Sequence, residues 1–481
     1  MEKADKKAVS KLQHRTPDVI KATAFTPVSY SPLTATKRAR IESSKSGNVV
    51  CTFGYYRVNA AEARSTQKIS IKMAELNDGT QWIDEKTKYM TVSVPDDGQL
   101  VTERIFQVGQ DIAKRILRDE NKSEANADEL PLTPCDVISQ EHVRCMGKIF
   151  CGGRTDQLDQ KSCIFIGYDE NKIRTVQLDF SKLSTVQVFP GDICIIGGNN
   201  PRGKTFYVTE LYSERILEYC SPPSKALLSQ PLHMMIASAP FSAVDDLRFD
   251  FLEKLLVQCQ TSKPDVLIVT GAFLPTKWEL ILDIAKELDD HFKDMLTGIS
   301  ERVGEGTKVI IVSSADDINS SYCYPTRPYK LKKLRSYPNM FMAPDPSIID
   351  VNGIQIGITS ADITQHLADS EFCVNAGFDK TRRYINYLLH QKSFYPLFPP
   401  KVNTDLRLLH EFGTLNKVPN ILVVPSDLKY YMRDISGCLC INPGRLHNAN
   451  NESTIARVIV QAPKEAEKGV NSWVSGQISH I

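Results

Sequence analysis

Six short runs of almost uninterrupted apolar residues recur after Leu232: LHMMIAS, DVLIVTG, KVIIVSS, IQIGITS, ILVVPS and CLCIN. Each is the length of a strand and lacks polar alternation, which is the pattern of strands covered on both faces. Between the first two lies a segment with Leu252, Leu255, Leu256 and Cys259 at helical spacing, a helix from about Leu247 to Cys259. Strands alternating with helices predict an α/β domain whose sheet is covered on both sides.

The grammar before Leu232 is different. Five β-rich runs, His142 to Phe150, Ser162 to Ile166, Thr175 to Leu178, Asp192 to Ile196 and Thr205 to Leu211, are punctuated by Gly152-Gly153, Pro190-Gly191 and Gly197-Gly198. Short strands with frequent turns predict a small barrel of the OB type. Upstream, Val49 to about Pro134 reads as a connector with a β-prone start and one helix, roughly Leu100 to Leu117, with Ile105, Val108, Ile112 and Ile116 on one stripe. The expected organisation is therefore a disordered tail at 1–48, a connector at 49–134, a barrel at 135–225 and an α/β domain at 226–481. The tail is rich in Lys, Ser, Thr and Pro without an apolar period. It holds Thr16-Pro17, Thr26-Pro27 and Ser31-Pro32 beside Lys37-Arg38-Ala39-Arg40, the pattern of proline-directed phosphorylation next to a nuclear-import patch, and equally of a solvated linker.

With 481 residues, the chain has room for two or three domains. Its 58 basic and 57 acidic residues leave a formal charge of +1, so whole-chain electrostatics demand no nucleic-acid or membrane partner. No apolar run approaches a membrane span and the N-terminus has no h-region, so a soluble, intracellular chain is expected. The twelve cysteines show no framework spacing, and Cys163, Cys194, Cys259, Cys438 and Cys440 sit inside apolar runs as expected of reduced core thiols.

One segment formally matches a phosphate-binding loop, Gly198-Asn-Asn-Pro-Arg-Gly203-Lys204-Thr205. A working loop of that type needs its Lys-Thr to open a helix, whose N-terminal amides cradle the phosphates. Here FYVTELY follows, aromatic and β-branched, so the segment is expected to be the turn between the last two barrel strands.

In an α/β domain the strand ends are where a site would be built. Those ends carry Ser238-Ala239-Pro240, Gly271-Ala272, Ser313-Ser314-Ala315-Asp316-Asp317, Pro425-Ser426-Asp427 and Asn442-Pro443-Gly444. Two-metal hydrolysis requires several converging Asp, His and Asn ligands. Asp316, Asp317, Asp427 and His447 are the only candidates for even one ion, and they share no ligand spacing. Zinc spacings and the G-x-S-x-G elbow are both missing. The run Ser393-Phe-Tyr-Pro-Leu-Phe-Pro-Pro400 carries no catalytic group; it reads either as a loop packed on its own domain or as an aromatic anchor for a partner.

Taken in order, PLHMMIASAPFS, KPDVLIVTGAFLP, KVIIVSSADDINSSYCYPTRPY, DPSIIDVNGIQIGITSADITQHL, LLHQKSFYPLFPP and PNILVVPSDLKYYMRDISGCLCINPGRL resemble the successive blocks of the DNA polymerase alpha B-subunit family. FPGDICIIGGNNPRGKTFYVTELY resembles the end of that family's OB domain, and the similarity runs from about Val49 onward. The resemblance implies an α/β fold with a β-barrel, an OB-fold domain packed on an inactive calcineurin-like (metallophosphoesterase) sandwich. The active D-x-H, G-D and G-N-H-D stretches would correspond to Ser238-Ala239-Pro240, Gly271-Ala272 and Ser314-Ala315-Asp316-Asp317, so only the last acid survives. No catalytic, cofactor-binding or metal-ligating residue is then expected.

The role implied is a non-catalytic, nuclear scaffold of the polymerase alpha–primase complex. It would hold the C-terminal zinc-binding domain of the catalytic subunit, alongside the primase subunits, and support primer synthesis at initiation, with weak or indirect DNA contact. The family's N-terminal helical docking domain is not expected, because only a short tail precedes Val49. Two other classes compete. One is a metal-dependent phosphoesterase or nuclease. The other is an OB-fold binder of single-stranded DNA, which would use Lys148, Arg154, Lys172, Arg174, Arg202 and Lys204 with Phe165, Tyr168 and Phe206, unless those rings are core.

Overall fold

The computed structural model describes residues 47–481 except 55–65, 76–81, 121–129, 154–156, 169–172, 244–247, 280–283, 285, 331–336, 448–451 and 464–468, and the side chains of 94–97. The tail's candidate phosphorylation sites and basic patch, Arg154, Lys172 and Leu247 lie outside the described residues.

Residues 49–134, read above as a connector, supply β1 (Val49–Phe53), β2 (Ile71–Met73) and α1 (Val94–Asp119). The helix begins after Ser93 with a proline in its first turn, where a missing N–H does no harm. Its predicted stripe, Ile105, Val108, Ile112 and Ile116, is fully buried against Met146, Ile193 and Ile195 on the outside of the barrel. Gly109 lies so close to the Met146 thioether that a β-carbon there would overlap it, so the glycine sets how closely helix and barrel approach.

The barrel is β3 (Ser139–Cys151), β4 (Cys163–Gly167), β5 (Arg174–Asp179), β7 (Ile193–Asn200) and β8 (Thr205–Tyr212), closed in the order β3-β4-β5-β8-β7. These are the five strands expected from the sequence. Alternate residues such as Cys145, Ile149, Phe165, Leu178, Ile196 and Phe206 fill its interior. A short strand, β6 (Val186–Val188), leaves the barrel and pairs elsewhere.

The remaining elements are β9 (Leu232–Ser238), α2 (Asp250–Ser262), β10 (Val266–Thr270), α3 (Leu288–Val303), β11 (Lys308–Val312), β12 (Met340–Ala343), β13 (Ser347–Val351) and β14 (Ile354–Ile358). They continue with α4 (Ile363–Ser370), β15 (Phe372–Val374), α5 (Lys380–His390), α6 (Leu406–Phe412), β16 (Ile421–Val423), β17 (Tyr431–Ile435), β18 (Cys438–Asn442), β19 (Thr454–Val460) and β20 (Val474–His480).

Among the described residues, the long strands form two sheets where the sequence pattern suggested one: β1-β20-β19-β9-β10-β11-β12 and β17-β18-β16-β14-β13-β2. Met234, Ile236, Ile268 and Ile310 of the first face Ile356, Ile358, Val423 and Ile441 of the second across a shared core. Met235, Leu267 and Val309, on the other face of the first sheet, pack under α2 and α3. Leu422, Cys438 and Cys440 of the second sheet pack under α5 and the 394–397 loop. The central strands, such as β9, β10, β16 and β18, are thus buried on both sides, by a sheet on one and helices or ordered loop on the other, and the apolar runs carry no mark of which sheet they join. All twelve cysteines are free. Among the described residues, no helix is long and apolar enough to cross a membrane.

Candidate functional site

Strands β9, β10 and β11 run parallel, as do β14, β16 and β18, so both sheets present carboxyl ends where loops can converge. The first group of polar residues there is centred on Arg445, just after the Asn442-Pro443-Gly444 turn. Its Nη1 donates to Ser238 Oγ at 3.1 Å, its Nε to Asp427 Oδ1 at 2.8 Å and its Nη2 to Asp362 Oδ2 at 3.3 Å. Ser238 Oγ also accepts from Thr270 Oγ1 at 2.9 Å. Asp362 Oδ2 accepts from the Asp427 amide at 2.7 Å, while Asp362 Oδ1 caps α4 through the Gln365 amide at 3.0 Å. A guanidinium therefore supplies fixed positive charge at the strand ends, in a fork that links three loops.

Asp317 forms the second group. It is fully buried. Its Oδ2 accepts from the Phe273 amide at 2.5 Å, the Leu274 amide at 3.3 Å and Tyr329 OH at 3.0 Å; its Oδ1 accepts from the Asn319 amide at 3.0 Å and Asn319 Nδ2 at 3.3 Å. Burial pushes its carboxyl above the usual range against the pull of those donors. Every lone-pair direction is engaged by the chain's own donors, which makes Asp317 a staple for the loop after β10.

The other candidate ligands do not join it. Asp427 is an exposed partner of Arg445, and His447 stacks on Phe251 with ring centroids 4.6 Å apart. Among the described residues, no group of three or more His, Cys, Asp or Glu is placed to hold a metal ion. Asn442 is wholly occupied as a turn former, accepting from the Ser426 and Gly444 amides and donating to the Leu428 carbonyl, each at 3.0 Å.

Asp345 was missed in the sequence because its neighbours give no motif. Buried after β12, it accepts from the Ser360 amide at 2.9 Å and from Ser360 Oγ at 2.5 Å, and burial pushes its pKa up to about 7.

The Gly198 to Thr205 segment is the turn between antiparallel β7 and β8, with Gly203 at φ +72°. Thr205 opens a strand, so no helix N-terminus faces a phosphate there. Of the residues a DNA-binding groove would need, Phe165 and Phe206 are fully buried barrel core. Tyr168 stacks on Phe106 at 5.2 Å, and Arg174 is held bidentately by Asp136 at 2.7 and 2.9 Å. Arg202 and Lys204 are exposed on the hairpin turn. Among the described residues, then, two of the three rings are barrel core and Arg174 is already paired.

The seam between barrel and sandwich is the most elaborated polar region. Gln391 Nε2 donates to Asp192 Oδ1 at 2.8 Å and to the Ile193 carbonyl at 2.9 Å, while its Oε1 accepts from the Ile193 amide at 3.0 Å. Arg215 Nη2 donates to the Leu389 carbonyl at 2.9 Å, and the Arg215 amide donates to His390 Nδ1 at 3.2 Å. Burial pushes His390 down to about 4 and Asp192 well above the carboxylate range. Arg383 and Glu371 form a buried two-point ion pair, 2.5 and 2.9 Å, to which Tyr387 OH adds a bond at 2.7 Å. Strand β6 pairs with β15, and the Ser393 to Pro400 run packs inward: Phe394, Tyr395 and Leu397 are buried and the Phe398 amide donates to the Pro190 carbonyl at 2.8 Å. That run is a clamp between the chain's own two lobes.

A family model for the B subunits of DNA polymerases alpha and epsilon matches residues 234–433, and one for the OB domain of the DNA polymerase alpha B subunit matches 105–214, beginning inside α1. Similarity to the DNA polymerase alpha B subunit of Drosophila melanogaster is 33% identity, covering 98% of this chain and 78% of that protein. For the Rattus norvegicus protein of the same name it is 28%, covering 93% and 73%. For that of Schizosaccharomyces pombe it is 26%, covering 73% and 66%.

Proposed function

The chain belongs to the family of DNA polymerase alpha B subunits, and from that premise we propose that it is the non-catalytic scaffold of the polymerase alpha–primase assembly. Membership makes it an accessory subunit in DNA replication, with the polymerase complex as its partner and the nucleus as its implied location. The finer reading is that it holds the C-terminal zinc-binding domain of the catalytic subunit, sits with the primase subunits and supports primer synthesis at initiation, touching DNA weakly or through its partners. Its barrel, proposed to span 135–225, would present that partner beside a calcineurin-like phosphoesterase sandwich, 226–481, that has lost its chemistry.

The observation that carries this reading is the state of Asp317. Two-metal hydrolysis needs free carboxylate and imidazole lone pairs around a bridging hydroxide. The acid best placed to offer them is saturated by five protein donors, and the neighbouring Asp362 and Asp427 are bound to Arg445. A fixed guanidinium can neutralise those carboxylates but cannot generate a nucleophile.

The test pairs a manganese-supplemented phosphodiesterase and nuclease assay with size-exclusion co-elution against the C-terminal domain of a polymerase alpha catalytic subunit. No turnover with stoichiometric co-elution is the expected result. Metal-dependent turnover abolished by Asp317→Ala would restore the enzyme reading, and failure to co-elute would remove the scaffold one.

A further inference from the structure

We propose that the seam contains a binding site for a carboxylate carried on a short apolar stem, in the cavity where α1, β3, the 391–398 loop and α6 meet. The cavity has a volume of about 70 Å³ and is lined by Lys148 and Arg104 together with Phe398, Ile193, Leu409 and His410 among others.

The chemistry starts with Lys148. Its residue is 7% exposed, and among the described residues Nζ makes no hydrogen bond or ion pair; it sits 4.2 Å from the centroid of the Phe398 ring. A ring face stabilises an ammonium only partly. Arg104 adds a second cation and spends one nitrogen on the Gln391 and Lys392 carbonyls at 2.5 and 2.7 Å. The nearby acid, Asp111, is engaged by Lys392 and Lys114. His410 Nδ1, also buried and without a hydrogen-bond partner, is a further polar atom at the same wall. Burying ammonium without an anion is costly: burial, with the Arg104 guanidinium nearby, pushes Lys148 down to about 7, and an anion seated in the cavity would hold it charged.

Size and wall chemistry narrow the occupant. A single water needs roughly 10–15 Å³ on this measure, so the space beside Lys148 admits a group of a few atoms. The leucine, isoleucine and phenylalanine walls favour methylenes and disfavour a doubly charged phosphate, which would lose its hydration there. A monoanionic carboxylate with two or three carbons behind it matches both. It could arrive as a free short-chain carboxylate or as a glutamate side chain from a protein bound to this chain.

The experiment is calorimetric titration of the full chain with butyrate, and with butyramide as the neutral isostere. Six non-hydrogen atoms at middling efficiency give a dissociation constant on the order of millimolar. Butyrate is expected to bind and butyramide not, and Lys148→Met is expected to weaken butyrate about tenfold or more by removing a charge-assisted bond. Repeating the titration on the complex with the catalytic subunit separates the sources: a site still open to butyrate takes a free carboxylate, and a closed one takes a partner's side chain. Equal behaviour of butyrate and butyramide overturns the proposal, as does a folded Lys148→Met chain that binds butyrate like the parent. Should that variant misfold, the butyrate–butyramide comparison decides alone. Because the butyrate titration uses the isolated chain, its outcome is independent of whether the complex with the catalytic subunit forms.

Discussion

The strand-end face and the lobe seam both bury charged groups, but they treat them in opposite ways. At the strand ends the buried acids are satisfied: Asp317 has five donors, Asp345 has two from Ser360, and Arg445 bridges three acceptors. At the seam one ion pair, Arg383 with Glu371, is complete, yet beside it Asp192 Oδ2 is buried without a partner and Lys148 has only a ring beneath it. An unsatisfied buried polar group costs about 1–3 kcal/mol. The region where chemistry would be expected has been turned into well-bonded structure, and the remaining local conflict lies where two lobes are held in a fixed relation. Conflict of that kind is expected at sites that serve something besides stability.

The strongest way to break this contrast is at the completed ion pair. Arg383→Ala strands Glu371, whose side chain is 4% exposed, and should lower stability by about 3–5 kcal/mol in urea denaturation, as removal of one partner of a buried pair does. A loss under about 1 kcal/mol, the range of a solvated pair, would mean that the seam opens to water. Next comes Asp317→Ala, which leaves the Phe273 and Leu274 amides unbonded and should cost about 1–3 kcal/mol. Faster hydrogen exchange of those two amides is the specific readout.

The pH dependence sharpens the comparison further. Asp345 has its folded pKa raised from 3.8 to about 7, so the folded state binds that proton more tightly. Its contribution to stability is fully present below the unfolded value and is lost as pH rises through about 7. Asp345→Asn should therefore flatten the fall in urea midpoint between those two pH values, and an unchanged profile would assign the titration elsewhere. The smallest effect is expected at Asp192→Asn. An amide can still accept from Gln391, and burial already disfavours the charged form, so stability at neutral pH should change by less than about 0.5 kcal/mol.

Much of this was legible in the residues themselves. The five barrel strands and the stripe of α1 were set by periodicity, and FYVTELY was enough to turn a phosphate-loop motif into a hairpin. Asp317 stood out as the surviving acid. That it serves as a staple could not be read, because its donors are mostly backbone amides that any sequence possesses. Arg445 carried a faint signal, a cation directly after a strand-ending N-P-G turn, that could have been weighed and was not. The division of six similar runs between two sheets, and the use of Val49–Phe53 as an edge strand, depend on partners hundreds of positions away.

That last pairing has a consequence for how the molecule is made. Val49 lies opposite Ser479, and β19 is what covers the flank of β9. While a ribosome is still delivering the residues between, the barrel can close, but the large sheet has an open apolar border from β9 onward and its opening strand has nothing to join. Nascent chains in that condition are prone to pair with one another. The time from barrel closure to arrival of β19 and β20 is when a chaperone, or the polymerase itself, would have most influence on yield.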